Sequence, residues 1–87
     1  MQKYDLPISI FHRDSTEQGR LVIARATDAW QAEIWQGSWL LTSFDHTATG
    51  RNRGVATLGK GAFLERVRII AEWVHGVYFE LEAEAGI

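Results

Sequence analysis

Residues 62–83 have the sequence AFLERVRIIAEWVHGVYFELEA, and the spacing of apolar residues changes within this stretch. Up to residue 75 the apolar residues recur every three or four positions, which predicts an amphipathic helix over residues 62–75. Its buried stripe is Phe63, Val67, Ile70 and Val74, widened by Leu64 and Ala71. Gly76 predicts the end of the helix, because glycine adopts the left-handed conformation at low cost. Beyond it, apolar and polar residues alternate, which predicts a strand over residues 77–83.

The residues before the helix predict two hairpins. Residues 4–11 alternate between apolar and polar side chains, and residues 20–26 form an apolar run after a polar turn over residues 14–19. These two strands pair as a first hairpin. Pro7 has no N–H group for a ladder hydrogen bond, so we expect its strand at an edge of the sheet.

A second hairpin is predicted over residues 29–36 and 38–46, with its turn at Gln36 and Gly37. A two-residue turn there places Ile34 opposite Trp39 on one face of the sheet. It also places Ala32 opposite Leu41 on that face, and Trp35, Glu33 and Leu40 on the other. Both faces are partly apolar, so the pattern does not fix one register. The predicted fold is α+β, a single domain over residues 1–87 with the order β-β-β-β-α-β. One helix packs on an antiparallel sheet of about five strands.

Composition excludes several classes of protein. With no cysteine, the chain has no disulfide framework, thiolate zinc site or thiol nucleophile. No acid, base and nucleophile form a convincing set, so we expect no enzymatic activity, no catalytic residue and no cofactor. No apolar stretch reaches the roughly 18 residues that span a membrane, and the first residues lack the apolar run of a signal peptide. We therefore expect a cytoplasmic protein without a membrane partner.

Basic residues concentrate in residues 51–68, although the whole chain has a formal net charge of −2. The string GVATLGK at residues 54–60 has the glycine and lysine spacing of a phosphate-binding loop, but Gly61 stands where a magnesium-ligating Ser or Thr is needed. The glycine-rich segment over residues 47–61 is therefore either a loose anion-binding loop or a plain connection. The candidate anion-binding residues are Arg51, Arg53, Lys60 and Arg68.

Three histidines, His12, His46 and His75, show no metal-ligand spacing, so we expect no metal site. Glu80, Glu82 and Glu84 alternate along the last predicted strand and form an acidic row on one face. Such a row docks a basic surface or mimics nucleic-acid phosphates, or it is a solvated face that protects an edge strand.

The helix also predicts an exposed apolar surface. At 100° per residue, Trp73 and Ile69 point away from the buried stripe, with Arg66 beside them. Exposed Trp with Arg is typical of a protein interface, including a homodimer interface. Trp35 adds to this patch or forms a second patch on the outer face of the sheet.

In organisation, the whole chain resembles the small phage-encoded inhibitors of bacterial defence systems, of which the anti-CRISPR proteins are the best-known group. The resemblance is one of size, fold class and opposed charged patches, without a shared motif, so it transfers no residue. It implies an inhibitor in the host cytoplasm that covers a nucleic-acid or subunit site on a large nucleic-acid-handling complex. Two alternatives remain: a small nucleic-acid-binding protein using residues 51–68, or a structural homodimer or antitoxin-type interaction protein.

Overall fold

The computed structural model describes residues 1–27, 29–47 and 58–82, with residues 46 and 47 described by their backbone alone. The elements are β1 (Gln2–Phe11), β2 (Thr16–Arg25), β3 (Ala29–Gln36), β4 (Trp39–Thr47), α1 (Lys60–His75) and β5 (Tyr78–Leu81). The strands form an antiparallel sheet in the order β4-β3-β2-β1-β5. This arrangement confirms the predicted α+β class and the order of its elements.

The first hairpin is longer than the sequence predicted. β2 begins at Thr16, so Gly19 lies inside the strand, opposite Ile8, and not in the turn. A Cβ atom on Gly19 would overlap the side chain of Ile10 and the carbonyl oxygen of Trp35. Glycine is therefore needed here for the close approach of neighbouring strands and not for a turn.

The prediction that β1 lies at an edge is wrong, because β1 pairs with β2 on one side and β5 on the other. Pro7 limits the length of the pairing between β1 and β5. The Glu82 N–H donates to the Pro7 carbonyl oxygen at 3.1 Å. The reciprocal bond is impossible because proline has no N–H. β5 accordingly ends one residue earlier, at Leu81.

The predicted register of the second hairpin is also wrong. The turn consists of Gly37 and Ser38, and Gln36 pairs with Trp39. Gly37 has φ +60° and Ser38 does not have a positive φ, which is the pattern of a type II′ turn. An irregularity between Ile34 and Trp35 then shifts the pairing. As a result, Ile34 lies opposite Thr42, Ala32 opposite Phe44, and Trp35 opposite Leu40.

Helix α1 begins at Lys60, two residues before the predicted start. Gly76 ends it as predicted, with φ +67°. The Gly76 N–H donates to the Glu72 carbonyl at 3.2 Å, and the Val77 N–H donates to the Ala71 carbonyl at 3.0 Å. The first of these is the bond of an αL C-cap, and the two bonds together turn the chain directly into β5.

The core lies between α1 and one face of the sheet. The Phe63 ring lies 5.6 Å from the ring of Trp30 and 6.4 Å from that of Tyr4, and Trp30 makes an edge contact with Phe44 at 5.7 Å. The buried apolar residues are Ile8, Ile10, Leu21, Ile23, Trp30, Ala32, Ile34, Phe44, Phe63, Leu64, Val67, Ile70, Ala71 and Phe79. α1 is too short and too polar to cross a membrane, and it is the one helix in the described ranges.

The sequence placed Val74 in the buried stripe, and this is wrong: its side chain is 70% exposed. Burial along α1 ends at Ala71, because the last turn of the helix extends past the core. On that turn His75 still contacts the sheet, and its ring stacks on Phe44 at 4.6 Å.

Candidate functional site

The side of α1 that faces away from the sheet carries an exposed apolar surface. Trp73 is 79% exposed there, and Ile69 one turn earlier is half-buried. Val74 lies in line with Val67 but past the buried core, so it is 70% exposed and borders this side at the end of the helix. Arg66 is exposed and lies on the same side, because residues 66, 69 and 73 are spaced by three and four positions. We call these four residues the Trp73 face. Arg66 and Trp73 are exposed as the sequence predicted, whereas Ile69 is only half-exposed, and Val74 joins them because the core ends before it.

Two arginines on α1 differ in their ion pairs. Arg68 donates to Glu65 at 2.6 Å and to Glu72 at 3.5 Å. The hydrogen bond from Arg68 lowers the pKa of the Glu65 carboxyl from its usual value of 4.5, and bonding to Glu65 raises the pKa of Arg68. Arg66 makes no ion pair with any residue in the described ranges. Among the described residues, therefore, Arg68 is neutralised within the helix and Arg66 is not.

Trp35 does not join the Trp73 face. It lies on the face of the sheet opposite α1, half-buried, and its indole Nε1 donates to Glu33 Oε1 at 3.2 Å. Arg20 lies opposite Trp35 on β2 and forms an ion pair with Asp5 at 2.6 Å. The outer face of the sheet around Trp35 therefore carries internally paired charges.

Sequence reasoning missed Trp39 as an exposed residue. Trp39 begins β4 and is 74% exposed, because the turn lies one residue later than predicted. Leu40 follows it on the outer face beside Trp35, as predicted, and is exposed. The glycine at the first of the two turn positions was the signal for the observed turn type, since type II′ turns place glycine there.

Two of the three predicted acidic-row residues can be placed. Glu80 is exposed on β5, and Glu82 follows the strand, half-buried, with its N–H bound to Pro7. Glu84 lies outside the described residues. Tyr78 extends the same side of β5 and is exposed. The row lies on the opposite face of the sheet from α1.

The predicted anion-binding residues are not brought together in the described part of the chain. Lys60 is the first residue of α1, and its ammonium nitrogen lies 5.3 Å from the centre of the Tyr4 ring. Arg68 is two turns further along the helix and is ion-paired. Arg51 and Arg53 lie outside the described residues, as does most of the phosphate-loop-like string.

Arg25 is the buried charge that sequence reasoning missed. It occupies the last position of β2 on the covered face of the sheet and is 8% exposed. Its guanidinium carbon lies 4.1 Å from the centre of the Phe63 ring, and Nη2 donates to the Leu58 carbonyl. The alternation Leu21, Ile23, Arg25 was the signal for this position. Arg25 therefore joins the end of β2 to the segment that enters α1.

Two of the three histidines have defined contacts that are not metal ligands. His12 Nε2 forms a hydrogen bond with Gln36 Oε1 at 2.6 Å, and His75 stacks on Phe44. No group of three His, Asp or Glu side chains suited to a metal ion occurs among residues 1–27, 29–47 and 58–82. His46 is one of the two residues of β4 that the structure describes by their backbone alone.

Comparison with protein-family models, with curated proteins and with solved structures found no match to this chain.

Proposed function

We propose that this chain is a non-enzymatic protein-binding domain and that the Trp73 face is its contact surface. The observation that carries the proposal is the 79% exposure of Trp73 on a helix whose other side supplies much of the core. Trp and Arg are the residues that most often dominate the energy of protein interfaces. Trp73, Ile69 and Val74 would supply the apolar centre of such an interface, and Arg66 a charged border.

The chemistry of this face defines the partner surface that fits it. The indole of Trp73 fits an apolar pocket. The guanidinium of Arg66, which has no ion pair within the described ranges, fits a carboxylate at the rim of that pocket. In line with the resemblance described above, we place the pocket on a subunit of a bacterial nucleic-acid-handling complex. The chain then acts as an inhibitor of phage type that blocks binding of nucleic acid or of another subunit.

Direct nucleic-acid binding has less support from the described residues. Arg68 is neutralised by Glu65 and Glu72, so it offers little charge to a phosphate. Lys60 lies at the opposite end of α1 from the Trp73 face. The described residues form no continuous basic surface, so they would release few counterions on binding nucleic acid.

The test compares two immobilised variants in nuclease-treated bacterial lysate. Trp73→Ala removes the centre of the Trp73 face, and Trp35→Ala is the matched control on the opposite face of the sheet. We expect the wild type and Trp35→Ala to retain the same nucleic-acid-handling complex. Trp73→Ala should weaken binding of the purified complex at least ~30-fold, equivalent to about 2 kcal/mol.

A second readout tests inhibition itself. Adding the wild type should release labelled nucleic acid from the captured complex, and Trp73→Ala should not. The proposal is wrong if both tryptophan variants bind the complex equally well. It is also wrong if the purified chain binds DNA or RNA tightly by itself, with the steep salt dependence of phosphate contacts.

A further inference from the structure

The two edges of the described sheet differ in how well they are protected. The β5 edge is four residues long, carries Glu80, and ends beside Pro7. The β4 edge is nine residues long and contains no Lys, Arg or Pro. Natural proteins protect edge strands with short length, charge or proline, because an open edge pairs with other strands. Of these protective features β4 has only the charge of Asp45. It also has the pairing irregularity beside Trp35.

The backbone of β4 offers a regular set of hydrogen-bonding groups that no described residue uses. The Ala26 N–H donates to the Ala29 carbonyl, so Ala29 turns its polar backbone groups toward β2. In an antiparallel ladder alternate residues point the same way, so Gln31 and Glu33 also point toward β2. Their partners on β4, Asp45 and Ser43, therefore direct their N–H and C=O groups away from the sheet.

From this edge we propose that β4 pairs with β4 of a second copy of the chain, which makes a continuous ten-stranded sheet. The pairing is antiparallel about a two-fold axis, with Phe44 opposite Phe44 of the other copy. Ser43 of each copy then lies opposite Asp45 of the other, and the two residues exchange both backbone hydrogen bonds. The two-fold axis repeats this pair, so four interchain bonds form.

The side chains of β4 are complementary to themselves in this register. The Ser43 hydroxyl faces the Asp45 carboxylate of the other copy and donates a hydrogen bond to it, and no two carboxylates lie opposite each other. Phe44 lies on the covered face, where His75 stacks on it. The two Phe44 rings therefore meet on that face, and the aromatic packing continues from one copy into the other.

The geometry also sets the arrangement of the two helices. Because the two Phe44 side chains share one face of the joined sheet, both α1 helices lie on that face. The dimer would thus present two Trp73 faces on the same side, and neither of them is used by the β4 contact.

The test changes the charge at Ser43 in the full-length chain. In the proposed register, Ser43→Glu places a carboxylate opposite Asp45 of the other copy, and the two-fold axis repeats this repulsion. Ser43→Lys instead forms an ion pair with Asp45 at both places. We expect sedimentation equilibrium to give twice the chain mass for the wild type, at concentrations from about 1 to about 200 µM. Ser43→Glu should raise the dimer dissociation constant at least ~tenfold, and Ser43→Lys should leave it unchanged or lower it.

Two further variants distinguish the loss of the dimer from a loss of folding and from dimerisation through the Trp73 face. Ser43 also lies opposite Glu33 of its own chain, so thermal unfolding must show that Ser43→Glu is folded. If it is not, Ser43→Pro takes its place, because it removes an N–H that points out of the sheet. Trp73→Ala should leave the dimer intact. A monomeric wild type, equal effects of the two charges, or a dimer lost with Trp73→Ala would each overturn the proposal.

Discussion

Both sides of α1 carry apolar residues, but the two sides lie in opposite environments. On the side facing the sheet, Phe63, Val67 and Ala71 are fully buried, and Phe63 contacts rings on two strands. On the other side, Trp73 is mostly exposed and Ile69 is half-buried. The difference shows that hydrophobicity alone does not mark the core of this small fold. An apolar residue belongs to the core only where the sheet lies opposite it.

This contrast separates stability from binding. The buried side holds the helix on the sheet, so substitutions there should act on the free energy of unfolding. The exposed side contributes little to that free energy, because its side chains remain in water in the folded chain. Substitutions on the Trp73 face should therefore change partner binding while leaving the melting temperature nearly unchanged.

The largest expected effect is that of Phe63→Ala. It removes a ring that contacts Trp30 and Tyr4 and lies beneath the guanidinium of Arg25, which leaves a cavity under a buried charge. We expect urea unfolding to show a loss of about 3 to 5 kcal/mol. Phe11→Ala is the control. It also removes a phenyl ring, but this ring is partly exposed at the end of β1, so its loss should cost about 1 kcal/mol. Equal losses for the two would contradict the contrast.

Intermediate effects on stability are expected when two glycines are replaced by alanine. The effects have opposite signs because the two glycines lie in different environments. Gly19→Ala on the covered face of the sheet would push against Ile10 and the Trp35 carbonyl, and should cost about 1 to 3 kcal/mol. Gly61→Ala lies in α1 with nothing within 4 Å of the new Cβ atom. It should stabilise the protein by about 0.5 kcal/mol through helix propensity. Thermal unfolding of the two variants would test this, and a destabilising Gly61→Ala would contradict it.

Gly19 also shows how far the sequence predicts this fold. Periodicity identified each of the six elements, because an amphipathic pattern is a local property of the chain. It did not fix the register of the second hairpin or the end of the buried stripe on α1. The sequence predicts Gly19 in a turn, since glycine favours turns. Its actual role depends on Ile10 and Trp35, which are distant in sequence, and no local pattern contains that contact.

The same limit applies to the candidate site. The exposure of Trp73 followed from its angle on the helix, whereas that of Val74 depended on where the sheet ends beneath the last turn of α1. The predicted pairing of Trp39 with Ile34 is wrong because the turn begins with Gly37 and does not end with it, so Trp39 pairs with Gln36, two residues further along β3. Arg25 was overlooked, although its alternation with Ile23 already pointed inward.

The smallest expected effect concerns the two arginines on the exposed side of α1. Arg68→Ala removes the pairs with Glu65 and Glu72 and should cost about 0.5 kcal/mol at neutral pH and low salt, because these side chains are partly exposed and solvent screens them. Arg66→Ala is the matched control. It breaks no ion pair within the described ranges, so thermal unfolding should show a change of no more than a few tenths of a kcal/mol.

The pH dependence identifies the origin of the Arg68 effect. The Arg68 hydrogen bond lowers the pKa of Glu65 in the folded chain from its usual value of 4.5. A carboxyl whose pKa is lower in the folded state stabilises the protein above its unfolded pKa, and this stability is lost as the pH falls through the folded pKa. The difference between wild type and Arg68→Ala should therefore shrink below pH 4.5. If this stability difference persisted in strong acid, the contribution of Arg68 would come from packing of its aliphatic chain. Arg68 and Arg66 would then differ in their packing contacts and not in their ion pairs.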